Sequence, residues 1–459
     1  MRIVLSIIFV CLLSTITHAT HLRAGYISYR QIQGSKFEIT ITAYTNTTSE
    51  VLFGEGVLDF GDDSEPFVVP VVSANTQTFL GEDGFLTTKS ISELDREGLA
   101  VSSFSLIHDF RKEGLIVLSY TEPNRNEGIV NIDRSVNVTF SLKTTFLLNS
   151  SNTNVSAPGL LFDPILDASF GIDFFQSLSA VDSNDYKLRY ELVAPLANVL
   201  ESVPGYYVPE GVKLNPLSGL LTWPAIDQNN LGEYTFAVEV IQFEQTSEDS
   251  FSRIGSMIID FQVLLVDSEG GIIVSEDSKF DENRALQIPP GTSETINFTI
   301  QANDDQVDFS IVSELAGFGT ETFDYEINMN DETFDLAIFI NSREDIARKN
   351  PYVVGVNVRV PSNSVEQQYV FLVYTVSIED NLVLSLPDQS FRQLPYPNPT
   401  QGILKSADFI DQFIQIIALD GSLKSEYYLQ SDQMVLNDLK PGSYILSISG
   451  MVPFIFIKE

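Results

Sequence analysis

The 459-residue chain carries 26 Lys and Arg against 62 Asp and Glu, a formal net charge of −36. That balance excludes nucleic acid and anionic membrane as partners reached through charge, because both require a basic face. A hydrophobic fraction of 44% and an aromatic fraction of 11% are too high for a disordered acidic tail. The chain therefore buries cores, about three or four at roughly 100–150 residues each, and the acidity reads first as a solubility device.

Met1-Arg2 is a short basic start, and residues 3–16 form an apolar run interrupted by Ser6, Cys11, Ser14 and Thr15. Thr17 and Ala19 place small residues on either side of His18, the geometry of a signal-peptidase site. Residues 1–19 are expected to be a secretory signal peptide cleaved after Ala19. The run is too short for a comfortable membrane span, and no later stretch is apolar for long enough to cross as a helix. Cys11 is the sole cysteine and leaves with the signal. The mature chain is thus expected to hold no disulfide, reactive thiol or thiolate metal site.

Strand periodicity dominates the rest of the chain. Residues 37–44, 136–142, 234–241, 258–265, 295–300 and 369–376 alternate apolar and polar, which predicts strands with one face in a core and one in water. Turn signals separate them: Gly61-Asp62-Asp63-Ser64, Asn215-Pro216, Asp420-Gly421 and Pro441-Gly442. Helical stretches are expected only near Ser92–Gly98 and Arg343–Lys349. The pattern reads as all-β, a row of β-sandwiches. Polar breaks at 149–154, 267–271 and 379–381 divide it into units over 20–148, 155–268, 272–380 and 388–459. Pro395, Pro397 and Pro399 form an extended linker at the entrance to the last.

Catalytic constellations are hard to assemble. Histidine is scarce, with His21 and His108 left after signal removal, and no zinc-ligand spacing, nucleophile elbow or phosphate loop occurs. A Ser–His–Asp triad would have to use His108, for which a structural role is the default. Carboxylate pairs for glycoside hydrolysis are easy to nominate in so acidic a chain. Yet the single tryptophan, Trp223, reads as a core residue and not as a sugar platform. Calcium is the better-founded ligand. Asp59, Asp62 and Asp63 in one turn, and Asp182 and Asp185 in another, gather the hard oxygens that ion takes. Asp and Asn are also ordinary turn formers, and the plain turn is the default.

The C-terminal stretch carries the most specific pattern. Tyr396-Pro397-Asn398-Pro399 leads to Gly402, an alternating run over 413–419, Asp420-Gly421, Gly442-Ser-Tyr444 and a terminal strand ending at Lys458. This resembles the type A C-terminal sorting domain of the type IX secretion system of Bacteroidetes. The residues Thr20–Tyr29, the Asp59-Phe-Gly-Asp-Asp63 turn and the order Phe162–Ala168, Ala180–Asp185, Gly219–Pro224 are similar to PKD-like and cadherin-like or Ig-like modules. Those modules occur in gliding-motility-associated surface proteins of the same phylum. Ala24 and Asp63 stand where that pattern usually has glycine.

The resemblance implies a small C-terminal β-sandwich recognised by the type IX translocon. It also implies a secreted or outer-membrane surface location, with no membrane span in the mature chain. The expected function is a non-enzymatic scaffold or adhesion protein. Its ligand is an unidentified protein or polysaccharide, and its one candidate cofactor is calcium. The alternatives are a secreted polymer-degrading hydrolase and an accessory of gliding motility.

Overall fold

The computed structural model describes residues 22–458 except 48–51, 73–76, 81–85, 94–97, 150–153, 225–230, 248–249, 267–270, 277–278, 303, 305, 331–332, 363–364, 377–399, 407–408, 410–411, 419–422, 430, 437–438 and 449–453. Residues 1–19 with Ala19, His21, the stretch holding Tyr396, Pro397, Asn398 and Pro399, and the Asp420-Gly421 turn therefore lie outside the described residues. The regular structure is strand throughout, with no α-helix among the described residues, and it forms β-sandwiches in tandem.

Two local expectations are corrected. The 343–349 stretch holds only a 3-10 turn, Glu344–Ile346. Seven residues are too few to nucleate a stable helix, and the Ile346 carbonyl accepts from the Tyr352 hydroxyl at 2.7 Å. Of the other helical stretch, residues 92–93 end the strand Leu86–Glu93, and residues 94–97 lie outside the described residues. In the 136–142 run the strand begins only at Phe140, after a 3-10 turn over Ser135–Asn137. Arg134 enters that turn with φ 51°, and the Ser135 hydroxyl donates to the Asn126 carbonyl at 2.6 Å. The local hydroxyl bond outweighs the alternating pattern.

A thirteen-stranded sheet dominates the first half of the molecule. It curls so that Phe37, Ile39, Ile41 and Phe104 on one half face Ile116, Leu118, Leu142 and Phe146 on the other, enclosing the first core. The 16-residue strand Gly232–Ser247 and the 17-residue strand Ser250–Val266 form a long hairpin. The outer edge of Ser250–Val266 meets three partners in turn. Gly255–Met257 pair with Phe140–Leu148, Asp260 and Phe261 with Leu22–Gln33, and Leu264–Val266 run parallel to Asp167–Ser169. One strand thus joins the first core to the second, where Met257, Ile259, Phe261, Val263 and Leu265 pack with Trp223.

The other face of that strand corrects a simpler expectation. Polar residues alternate with the apolar ones as the sequence suggests, but Asp260 and Gln262 are 0% exposed. Arg125 reaches Asp260 from the loop before Phe140–Leu148. Its guanidinium grips Asp260 at 3.0 and 2.5 Å and donates to the carbonyls of Leu196 and Thr139 at 3.1 and 3.2 Å. The Phe140 ring lies 5.0 Å below it. Asn126 Nδ2 donates to Gln262 Oε1 at 2.7 Å.

Residues 272–376 build a separate sandwich of two four-stranded sheets. Ile296, Phe298, Leu336 and Ile338 of one sheet meet Val354, Val356, Val358 and Phe371 of the other. Residues 400–458 close a small sandwich around Leu404, Ile414, Ile416, Met434, Leu446 and Phe456. Its two ends meet, with the Thr400 N–H donating to Ile457 O at 2.8 Å.

Replacing one partner of the buried pair strands the other charge. Asp260→Asn is expected to destabilise the fold by about 3–5 kcal/mol, read by urea unfolding. Combining Arg125→Met with Asp260→Leu is expected to recover most of that loss, because two apolar groups need no partner.

Candidate functional site

The two aspartate clusters sit in different places. In the first, Asp59 Oδ1 accepts from the Gly61 N–H at 2.8 Å, shaping the turn. Gly61 has φ 68°, and a Cβ there would lie 2.3 Å from the Val117 carbonyl oxygen, so only glycine fits. Asp62 points inward with its side chain 0% exposed. Its Oδ2 lies 2.9 Å from His108 Nε2 and accepts from the Arg111 N–H at 2.9 Å, while Oδ1 accepts from the Ser64 N–H at 3.1 Å. Burial alone would raise the Asp62 pKa, but the bonds from Arg111, His108 and Ser64 outweigh it and hold the pKa at about 2. Asp63 faces solvent, 3.5 Å from Lys112 Nζ. His108 is stacked on Phe60, with centroids 3.8 Å apart and planes 3° apart, and meets the edge of Phe110. The pair ties the 59–64 turn to the end of the strand Leu99–Asp109.

The second cluster lies at a junction between sandwiches. Asp182 Oδ1 accepts from the N–H groups of Asn184 and Tyr186 at 2.8 and 3.2 Å, and Oδ2 accepts from Gln242 Nε2 at 2.6 Å. Burial raises its pKa despite these bonds, with Asp185 adding to the rise. Gln242 also takes the Tyr29 hydroxyl at 3.0 Å, so Asp182 is linked to the first core. Asp185 turns outward with φ 57°. Across from it comes Arg348, whose Nη1 is 3.5 Å from Asp185 Oδ1 and whose guanidinium grips Glu314 at 3.0 and 2.7 Å. Arg348 lies 3.7 Å over the Tyr352 ring, and Asn350 Nδ2 donates to the Asp185 carbonyl.

Asp182, Asp185, Tyr186, Glu314, Arg348 and Asn350 line a crevice of about 50 Å³. Ligand pockets usually run to about 300–1,000 Å³, so this one admits water and little else. Among the described residues no group of three or more His, Cys, Asp or Glu side chains is arranged to hold a metal. An arginine occupies the position between the Asp185 and Glu314 carboxylates.

The same junction is clamped by consecutive glutamines. Gln367 Oε1 accepts from the Phe175 N–H at 2.7 Å while its Nε2 donates to the Asp173 carbonyl at 2.8 Å. Gln368 repeats the scheme with the Ser177 N–H at 3.2 Å and the Asp163 carbonyl at 2.9 Å. Both side chains imitate a neighbouring peptide along the strand Phe174–Ser177. Leu220, Val353, Val370 and Leu372 pack beside them. Gly355 allows the close approach, since a Cβ there would lie 2.5 Å from the Phe162 ring. The signal for this clamp was the polar triplet Glu366-Gln-Gln368 in a strand whose every residue is buried. Arg125 and Arg348 gave no comparable signal, because their partners are distant in sequence.

Of the C-terminal pattern, Gly402 donates its N–H to Thr400 Oγ1 at 3.2 Å, and Gly442 pairs with Lys458 across the strands Gly442–Ile448 and Phe454–Lys458. Tyr444 donates its hydroxyl to the Lys440 carbonyl at 2.8 Å and stacks on Phe456. Trp223 meets Tyr234 and Phe236 edge-on inside the second core.

No protein-family model matches the sequence, and no curated protein matches it significantly. Several solved structures superimpose in part. A chain of the complex between Dpr2 Ig1-Ig2 and DIP-Theta Ig1-Ig3 gives 9% identity and a TM-score of 0.18 over 75% of this chain and 95% of that one. The ICAM-5 D1-D4 ectodomain fragment gives 11% identity and a TM-score of 0.17 over 94% and 98%. The endo-fucoidan hydrolase MfFcnA4 of glycoside hydrolase family 107 gives 9% and 0.15 over 75% and 42%. Superpositions this loose add nothing to the sandwiches already described.

Asp62 sets an acid limit on the first sandwich. Its folded pKa lies below the ordinary 3.8, so its stabilisation is present above that value and lost as the pH falls toward 2. Between pH 5 and pH 2 the native chain is expected to lose about 1–2 kcal/mol more stability than Asp62→Asn, measured by urea unfolding at each pH.

Proposed function

We propose that this chain is a non-enzymatic scaffold of the cell surface or extracellular space, of the adhesion type, exported by the type IX route through residues 388–459. The observation that carries the reading is the bracing of both junctions within residues 22–376. A shared strand joins the first two cores, and the glutamine clamp with Arg348 joins the second to the third. A stiff body presents a binding face at fixed orientation, so capturing a protein or polysaccharide loses less freedom on binding. The carboxylates facing the crevice are bridged by Arg348, which does not suit the open acid pair that a polymer hydrolase needs. The self-closed sandwich of residues 400–458 suits a separable export module.

For the aspartates we propose turn and junction roles, since the Asp62 and Asp182 oxygens already accept from protein N–H groups. Thermal unfolding in calcium and then in chelator is expected to give the same Tm. An ion site held at about 100 times its Kd would instead add about 2.7 kcal/mol and reassign the clusters to calcium.

Export is tested by comparing the full chain with one ending at residue 376, both with residues 1–19 intact. The full chain is expected outside the outer membrane and the shortened one in the periplasm. Equal export of the two would sink the sorting role. Loss of gliding with export intact would point to the motility accessory.

A further inference from the structure

Two deeply buried carboxylates of this chain face a partner able to carry positive charge, Asp260 with Arg125 and Asp62 with His108. Glu122, at the end of the strand Gly114–Glu122, is 4% exposed and is held differently. The groups bonded to its carboxyl are the Tyr120 hydroxyl and the Gly54 N–H, the latter at 3.3 Å. Among the described residues, none of its hydrogen-bond partners carries a countercharge. Glu55, on the same loop as Gly54, has the same sign. Arg125, three residues on, is committed to Asp260 and to two carbonyls. The neighbouring strand presents Phe140 opposite Glu122, and Phe53 packs against Tyr120.

Gly54 belongs to a strap, residues 53–72, that folds back on itself. The Glu55 N–H donates to Val69 O at 2.7 Å, Val69 N–H to Gly56 O at 2.9 Å and Val72 N–H to Phe53 O at 2.7 Å. Phe53, Leu58, Val69 and Val72 send their side chains into the first core. On its outer side the strap shows Val57, Val68 and Val71, which are 43%, 61% and 37% exposed.

We infer that Glu122 is carried as the neutral acid and acts as a proton-dependent latch, binding Gly54 and Tyr120 when protonated and loosening the 53–72 strap from the first core when ionised. An isolated carboxylate buried without a countercharge is strongly disfavoured, so the group keeps its proton or the surroundings open. Burial lifts the Glu122 pKa to about 7, and Glu55 adds to the rise; the bonds from Tyr120 and Gly54 offset only part of it. The folded pKa lies above the ordinary 4.5, so stability declines as the pH rises from 4.5 through about 7 and then levels off. The latch is closed in mildly acidic surroundings and weakens as the pH rises through neutrality.

Hydrogen exchange of the full chain at pH 6 and pH 8.5, corrected for the intrinsic pH dependence, tests this. In the native chain the amides of Glu55, Val69 and Val72 are expected to lose protection by roughly 10–30-fold at the higher pH. Amides of the strand Lys36–Asn46 are expected to hold theirs. Glu122→Gln keeps an acceptor for Tyr120 and Gly54 but cannot ionise, and its strap is expected to stay protected at both pH values. Unchanged strap protection in the native chain would overturn the latch by itself. So would the same loss in Glu122→Gln, or a loss that spreads equally to Lys36–Asn46.

Discussion

The buried pair of Arg125 and Asp260 lies where the strand Ser250–Val266 passes from the first core to the second. A strand packed on both faces cannot leave its polar side in water, so each polar side chain on it needs a partner from elsewhere in the fold. Arg125 supplies a planar fork that satisfies both Asp260 oxygens and still reaches two carbonyls. Thr145 and Ser256 meet at 3.0 Å, and Asn126 with Gln262 at 2.7 Å, along the same face. Without these pairings the strand could serve one core or the other. With them, one strand serves both sandwiches.

The second junction solves a similar problem with neutral groups. Gln367 and Gln368 present amides to the edge of Phe174–Ser177, the end strand of its sheet, giving that edge a substitute for a neighbouring strand. Because the amides carry no charge, they can be buried among Leu220, Val370 and Leu372 without the desolvation penalty of an ion. Arg348 then seals the rim, where partial exposure makes a charge tolerable.

Carboxyl groups meet three fates according to what the fold places beside them. Asp260 is matched by a guanidinium, Asp62 by peptide N–H groups and His108, and Glu122 by a phenol and one N–H. Donated bonds favour the charged form in both of the last two, and burial opposes it; the bonds prevail at Asp62 and burial prevails at Glu122. The two carboxyls thus pull the first sandwich in opposite directions, Asp62 losing its contribution as the pH falls toward 2 and Glu122 as the pH rises toward about 7.

Much of the architecture was legible in the chain, because alternation and turn residues act over a few positions. The strands over 36–46 and 293–302, the Gly61 turn and the core role of Trp223 all follow from such local patterns. The 369–376 run instead overlaps the strand Val365–Tyr374, which is buried on both faces and not on one. The Asp59–Asp63 and Asp182–Asp185 turns were visible too, as composition that suits either an ion or a bend. Tertiary structure decided the rest. It set Arg125 against Asp260, 135 positions away, and Gln367 against Asp173, 194 positions away. It likewise set Arg348 between Asp185 and Glu314. Sequence periodicity reports which side chains share a face but not what will cover that face. Whether a polar residue meets water, an arginine or an amide depends on loops that arrive from far along the chain.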